Sequence, residues 1–379
     1  MRKLIATCSV VSICFLSATA VFAAGTVKIG GLFAVTGPAA FLGEPERNTA
    51  KMVVEEINKA GGIKGHKLEL IAYDTSGDAT KAVQLATKLI KDDHVTAIIG
   101  PSTTGESMAV IQVAEREQVP LISCAAGIKI TEPVKKWVFK TAQNDTLAVV
   151  KIYEYLQKHK LSKVAILTVS DGFGASGREQ LKSQAAKNGI SIVSDDTYGP
   201  KDTDMTAQLT KIRGSQAQAI ICWGTNPGPA VIAKNVRQLG IKTPLFMSHG
   251  VSSKKFIELA GEAAEGIKLP SGKVIVAELL PASDRQKSSL MAFVKDYKLH
   301  YHAEGDHFGG HAWDAVMLLK NAIEHGGDSR VTIREQLEKT HGFAGIGGVF
   351  SYSARDHAGL NKDAFVLVEV RKKGWVIVK

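Results

Sequence analysis

Residues 74–100 read DTSGDATKAVQLATKLIKDDHVTAIIG, and residues 199–224 read GPKDTDMTAQLTKIRGSQAQAIICWG. Each runs from an acidic, threonine-bearing turn through an amphipathic helix and a short polar break into a buried strand that stops at glycine. An apolar run such as Val95-Thr-Ala-Ile-Ile99 suits a strand covered on both faces, the habit of a parallel sheet wrapped by helices. Two copies of that unit in one chain predict two lobes of one architecture, with a ligand most naturally held between them.

Working outward, strand-like and helical runs alternate from residue 27. Val27–Phe33 precedes a helix over 47–59 that Gly61-Gly62 ends. Then come a strand over 67–73, a helix over 79–90, the strand 95–99, a helix over 105–116 and a strand over 120–124. The pattern restarts with a strand over 163–169 and a helix over 176–188, followed by a strand over 190–193 and a helix over 204–212. It continues with a strand over 219–223, a helix over 229–239 and a strand over 244–247. From about Lys273 the repeat is lost: helices are predicted over 286–300, 313–325 and 332–339, then a hairpin of 364–370 with 375–378, turning at Lys373-Gly374. These elements are expected to complete both lobes, so the chain crosses between them more than once. The fold class is α/β, two doubly wound Rossmann-like lobes joined by a multi-stranded hinge. One lobe comprises 24–143 plus 273–349, and the other 144–272 plus 350–379.

At 379 residues, 45% hydrophobic and 22% charged, the chain is too long for one ordinary core. Its start, MRKLIATCSVVSICFLSATAVFAAG, sets Arg2 and Lys3 before an apolar stretch ending in small residues. This reads as an export signal over 1–23, cleaved near Ala23 or Ala24. An uncleaved anchor is the competing reading of those roughly 18 apolar residues. Cleavage leaves two cysteines, Cys124 and Cys222, in different lobes, so no disulfide is expected. It also takes the formal charge from +10 to +8. Basic residues are scattered among acids, as on a solvated surface and unlike a nucleic-acid binder.

The strand end at 99–105, Ile-Gly-Pro-Ser-Thr-Thr-Gly, carries the functional signal. Thr103 and Glu106 have capping-box spacing, so a helix starts there with free N–H groups at the carboxyl edge of the sheet. No Gly-Lys-Ser/Thr follows Gly100, which disfavours a nucleotide phosphate and leaves a single carboxylate as the better guest. Ile122–Gly127 brings small residues and bare backbone to the same crevice. Asp171-Gly-Phe173-Gly174 and Trp223-Gly-Thr-Asn226 face it from the second lobe, making a site for a small, partly apolar acid.

Several stretches together carry a family resemblance: the signal, Ile29-Gly-x-Leu-x-x-x-Thr36-Gly-Pro38, Glu55-Glu-Ile-Asn58-x-x-Gly-Gly62-Ile-x-Gly65, Ile99-Gly-Pro101 and Asp356-His-x-Gly359. Over essentially the whole mature chain the sequence resembles the branched-chain amino-acid-type solute-binding proteins of bacterial ABC importers. The resemblance implies a periplasmic two-lobed binder, a clamshell with a three-stranded hinge that closes on its ligand and delivers it to a membrane permease. It implies that Ser102, Thr103 and Thr104 hold the ligand carboxylate with hydroxyls and amides, helped by backbone at Ala125. Phe41, in the loop after the first strand, and Phe173 match the family's aromatic contacts.

Two departures stand out. Gly127 occupies a position where amino-acid binders usually carry Ser or Thr, and Ser248-His249-Gly250 stands where they place an acid, both for the ammonium group. A buried cation without acceptors costs several kcal/mol, so a hydrophobic or aromatic monocarboxylate is favoured and an amino acid comes next. His249 would donate to the acid or to a ring substituent, Asn226 would orient the ligand, and Phe308 would edge the pocket.

The segment His300-Tyr-His302-Ala-Glu304-Gly-Asp306-His307-Phe-Gly-Gly-His311 is dense in potential metal ligands. It lacks a recognisable ligand pair backed by a second cluster, and is read as a helix end and its connection. Gly174-Ala-Ser176-Gly177 has the wrong register for a nucleophile elbow, and His-Glu-x-x-His is absent. Cys124 paired with His249 is the remaining catalytic constellation; a small buried thiol is the plainer reading. Asp74 and Asp78 are expected to cap the next helix, and Trp137 and Trp313 to pack in the core. The chain is expected to be a monomeric binder without cofactor. A domain that senses a ligand for a membrane receptor would need the same clamshell and is the alternative.

Overall fold

The computed structural model describes residues 25–378; the predicted export signal lies outside them. The first stretch of chain forms β1 (Thr26–Phe33), α1 (Ala40–Lys59), β2 (Lys67–Asp74), α2 (Ala79–Lys91), β3 (Ala97–Ile99), α3 (Thr104–Glu117), β4 (Leu121–Ser123) and β5 (Val138–Lys140). There follow α4 (Asp145–Lys158), β6 (Lys163–Val169), α5 (Gly172–Ala185), β7 (Ser191–Tyr198), α6 (Thr206–Arg213) and β8 (Ala219–Trp223). Then come α7 (Gly228–Gln238), β9 (Leu245–Met247), α8 (Lys254–Ala260) and β10 (Lys268–Ser271). The last part supplies α9 (Lys287–Tyr301), α10 (His307–Gly326), α11 (Arg330–Glu338), the short pair β11 (Phe343–Ala344) and β12 (Val349–Phe350), and the hairpin β13 (Val366–Arg371) and β14 (Gly374–Ile377).

The tandem units build two sheets of equivalent topology. One is wholly parallel with order β2-β1-β3-β4-β5. The other contains β7-β6-β8-β9-β10, the same doubly wound order counted from β6, and is extended by antiparallel β13 and β14. Each sheet therefore has a switch point, between β1 and β3 and between β6 and β8, where the strand order reverses and a crevice opens at the carboxyl ends.

Successive strand residues point to opposite faces, and the cores follow that period. Ala97 and Ile99 join Val27, Ile29 and Phe33 in the core under α1, α9 and α10, whereas Ile98 and Leu32 pack beneath α2 and α3. In the second sheet Ala165, Leu167 and Val169 face one core, and Val164 and Ile166 the other with Trp223. The late helices α9 to α11 bury their apolar faces with α1, so they complete the first lobe.

The chain passes between the sheets three times: after β5, after β10 and after β12. The crossings are tied to one another and to the first lobe. Gln143 Nε2 donates to the Gly347 carbonyl at 2.7 Å, Tyr352 Oη to the Lys140 carbonyl at 2.8 Å, and Thr141 Oγ1 to the His311 carbonyl at 2.9 Å.

Several local expectations are corrected. Helix α1 begins at Ala40, so Phe41 sits on its first turn instead of in a loop. Helix α10 begins at His307, capped by Asp306, a turn and a half before the expected start. Asp78 caps α2 through Lys81 N–H, but Asp74 does not: it accepts from Val35 N–H, Thr36 and Ser76, tying the end of β2 to the β1 loop. The hairpin turns at Lys372 and Lys373, both with positive φ, one residue earlier than expected. Trp137 is buried, while Trp313 packs half-buried against the first core. Cys124 and Cys222 are free, buried and in different lobes.

Candidate ligand-binding cleft

The carboxyl ends of the two sheets face each other across a cavity of about 320 Å³. On the first lobe its wall is the start of α3. Thr103 is the N-cap, its Oγ1 accepting from Glu106 N–H at 3.3 Å while the Glu106 carboxylate accepts from Thr103 N–H at 3.1 Å, the reciprocal box the spacing predicts. Thr103 Oγ1 also donates to Glu106 at 2.6 Å. Ser102 Oγ donates to the buried Glu46 and accepts from Ala34 N–H at 3.0 Å. Both hydroxyls are therefore engaged within the protein.

Thr104 differs. Its Oγ1 accepts from Gly127 N–H at 3.3 Å, and its proton has no acceptor among the described residues. The amides of Thr104 and Gly105, the first two of α3, likewise lack protein partners, as expected of helix N-terminal N–H groups. Two amides and one hydroxyl proton at the positive end of a helix are the arrangement that would favour an anion.

The second lobe supplies the opposite wall. Phe173, on the first turn of α5, lies beside His249 and Trp223 with ring centroids 5.4 and 5.9 Å away, and His249 also contacts Phe365 at 5.3 Å. Asn226, in the loop between β8 and α7, is buried with neither amide atom bonded among the described residues. The same holds for both ring nitrogens of His249, Nδ1 of His307 and His311, and Tyr198 Oη, all on cavity-lining residues. Buried polar atoms without protein partners are costly unless a ligand or water meets them, so these are the groups a guest in the cavity could satisfy.

Burial lowers the pKa of His249 and His311 well below the usual value and that of His307 to about 4, so all three rings are neutral at pH 7. Asp171, the one acid on the cavity wall among the described residues, caps α5 by accepting from Gly174 N–H at 2.8 Å, and burial raises its pKa. Cys124 reaches the wall, but burial pushes its thiol well above the ordinary range, which leaves it a poor nucleophile. No group of three or more His, Cys, Asp or Glu is arranged for a metal among the described residues. His300, in the last turn of α9, and His302, its C-cap, are exposed, while His307 and His311 face the cleft.

The lobes touch around the cavity. Ile128 N–H donates to Ser176 Oγ at 3.3 Å, Lys129 pairs with Glu179 at 2.5 Å, and Lys254 pairs with Glu304 at 3.1 Å. Of the residues singled out from sequence, Ser102, Thr103, Thr104, Ala125, Phe173, Asn226, His249 and Phe308 border the cavity. Phe41 and Gly127 stand behind the wall. Phe41 backs Phe308 edge-on at 5.7 Å, and Gly127 backs Thr104. Sequence reading missed Tyr198, His307 and His311 as lining residues. The Asp306-His-Phe-Gly309 cap was the available signal for the last two.

Over residues 26–374 the sequence matches the family described as Periplasmic binding protein. The chain belongs to the periplasmic binding protein family. As a member it is a solute-binding protein and not an enzyme. The leucine-, isoleucine-, valine-, threonine- and alanine-binding protein of Pseudomonas aeruginosa is 26% identical over 81% of this chain and 80% of that one. The Leu/Ile/Val-binding protein BraC3 of Rhizobium johnstonii is 27% identical over 80% of each. Among solved structures, an extracellular ligand-binding receptor from Rhodopseudomonas palustris superposes with a TM-score of 0.88 at 29% identity, covering 93% of this binding protein and 100% of the receptor. The branched-chain amino acid transporter substrate-binding protein of Streptococcus pneumoniae, in complex with isoleucine, superposes at 0.82 with 28% identity over 93% and 99%.

Proposed function

We propose that this binding protein captures a small carboxylate with an apolar or aromatic body and presents it to a membrane ABC permease. In this reading residues 24–143 plus 273–349 and residues 144–272 plus 350–379 are the two closing lobes of a periplasmic monomer, exported by a signal cleaved near Ala23. The acid group meets the Thr104 hydroxyl and the amides of Thr104 and Gly105. The body lies between Phe173 and Phe308, and Asn226 and His249 orient its far end.

One observation carries the preference for an acid without an ammonium group: among the described residues the cavity wall has a single carboxylate, Asp171, whose Oδ1 already caps its own helix, and the buried Asp145 lies behind His249, 3.7 Å from its Nε2, and accepts from Ser176. Three neutral histidines stand where a cation would need acceptors of opposite charge. An unpaired buried ammonium costs several kcal/mol, so leucine is disfavoured by roughly that amount. The names of the relatives make branched-chain amino acids the competing ligands. Titrating purified protein with benzoate and leucine by calorimetry tests the choice. Micromolar or tighter benzoate with much weaker leucine supports it; the reverse order overturns it. Adjacent genes for two permeases and two ATPases would favour transport over sensing.

A further inference from the structure

Lys140 ends β5 as a fully buried ammonium. Its Nζ donates to the carbonyls of Ala126 and Gly127 at 2.5 and 3.5 Å and to Asn144 Oδ1 at 2.7 Å. The Ala126 carbonyl shares one peptide plane with Gly127 N–H. In a trans peptide the two groups point in opposite directions, so the N–H faces away from Lys140, and it donates to Thr104 Oγ1 at 3.3 Å. A hydroxyl that accepts on one side presents its proton on another. For Thr104 that leaves the cleft, which its side chain lines.

We propose that Lys140 is a positioning residue for ligand recognition: by holding the Ala126–Gly127 peptide it orients and polarises the Thr104 hydroxyl as a donor to the bound acid. Hydrogen bonds in a chain strengthen one another in a low-dielectric interior, and here the chain begins on a charged donor, the stronger kind. The buried Asp145, held by Ser176 and 3.7 Å from His249 Nε2, favours this charge electrostatically from beyond the first lobe crossing. The relay also accounts for Gly127. Its φ of −53° suits any residue, but a Cβ there would lie 2.3 Å from Thr104 Cγ2. The threonine methyl therefore occupies the space that a side chain at 127 would need. This inference rests on the reading of Thr104 as the group that meets the acid.

Two measurements test it. In the ligand-free mature protein, the amide proton resonance of Gly127 should shift upfield in both Lys140→Met and Thr104→Val, because each removes one end of the relay. A Gly127 resonance indifferent to both overturns the proposal whatever the ligand is. Benzoate affinity should fall about tenfold or more in Lys140→Met and less in Lys140→Gln, whose amide still donates to Ala126; unchanged affinity in folded Lys140→Met overturns it. Should that variant fail to fold, Lys140→Met/Asp145→Asn removes the whole pair and carries both measurements. If benzoate binds no form, the ligand reading fails, and the Gly127 resonance alone judges the relay.

Discussion

Gly172 and Gly105 meet across the cleft: a Cβ on Gly172 would lie 3.0 Å from the Gly105 amide nitrogen. The first turns of α5 and α3, one from each lobe, thus approach backbone to backbone beside the cavity, and α3 carries the unpaired amides of Thr104 and Gly105. Lobe contact therefore sets the start of α5 directly against the end of α3 that carries those amides.

Gly172→Val should hold the lobes apart. The added methyls collide with α3 only in the closed form, so they shift the population toward open without touching either core. Solution scattering of the variant with saturating ligand should show a larger radius of gyration than wild type, with weaker binding and an unchanged unfolding temperature. Wild-type scattering and affinity would mean that the approach of the two helices is incidental.

Exposed ion pairs across the cleft should matter far less. Lys129–Glu179 and Lys254–Glu304 are about half or more exposed on both sides, where such pairs contribute little. The double variant Glu179→Ala/Glu304→Ala is expected to bind within about twofold of wild type by calorimetry. A tenfold loss would show that surface charge, not the backbone approach, sets closure.

Thr104→Val and Ser102→Ala should separate binding from folding. Thr104 has a proton to give the ligand, so its loss should weaken carboxylate binding about tenfold with little effect on urea unfolding. Ser102 spends its hydroxyl on Glu46 and Ala34, so its loss should lower stability by about 1–3 kcal/mol and leave affinity nearly intact. Finding these two effects exchanged would refute the assignment of roles.

Acid should destabilise the fold through the cleft histidines. Burial lowers the pKa of His307 to about 4, against 6.5 for an ordinary histidine, the Ser252 carbonyl opposing the shift only in part. The unfolded chain therefore takes up a proton below about pH 6.5 that the folded one refuses until about pH 4, and stability falls across that window. The full shift corresponds to about 3 kcal/mol. Glu46 and Asp306, whose pKa values burial raises, act in the opposite sense. The difference in unfolding free energy between wild type and His307→Gln, followed from pH 7 to 4, isolates the histidine. A difference independent of pH would contradict its buried neutral state.

Features set by neighbours in sequence were legible beforehand. The two αβ units, the Thr103–Glu106 box and the Asp78 cap each depend on residues within a few positions of one another, where helical and strand periods and capping distances are fixed. Errors gathered at element starts. Phe41 and His307 begin helices whose first turns carry too little apolar periodicity to announce themselves, and the short β5 and β10 are hidden for the same reason.

By itself the sequence determined that there are two doubly wound lobes with a small-molecule crevice between them, because alternating burial along strands and helices is written locally. Only the tertiary structure decided which polar groups remain for a guest. Glu46 reaches Ser102 across 56 positions and takes its hydroxyl, Thr104 fills the space beside Gly127, and α10 returns to set His307 and His311 in the floor. A hydrogen bond between distant segments leaves no period in the chain, so whether a donor is already used is known only once the segments have packed.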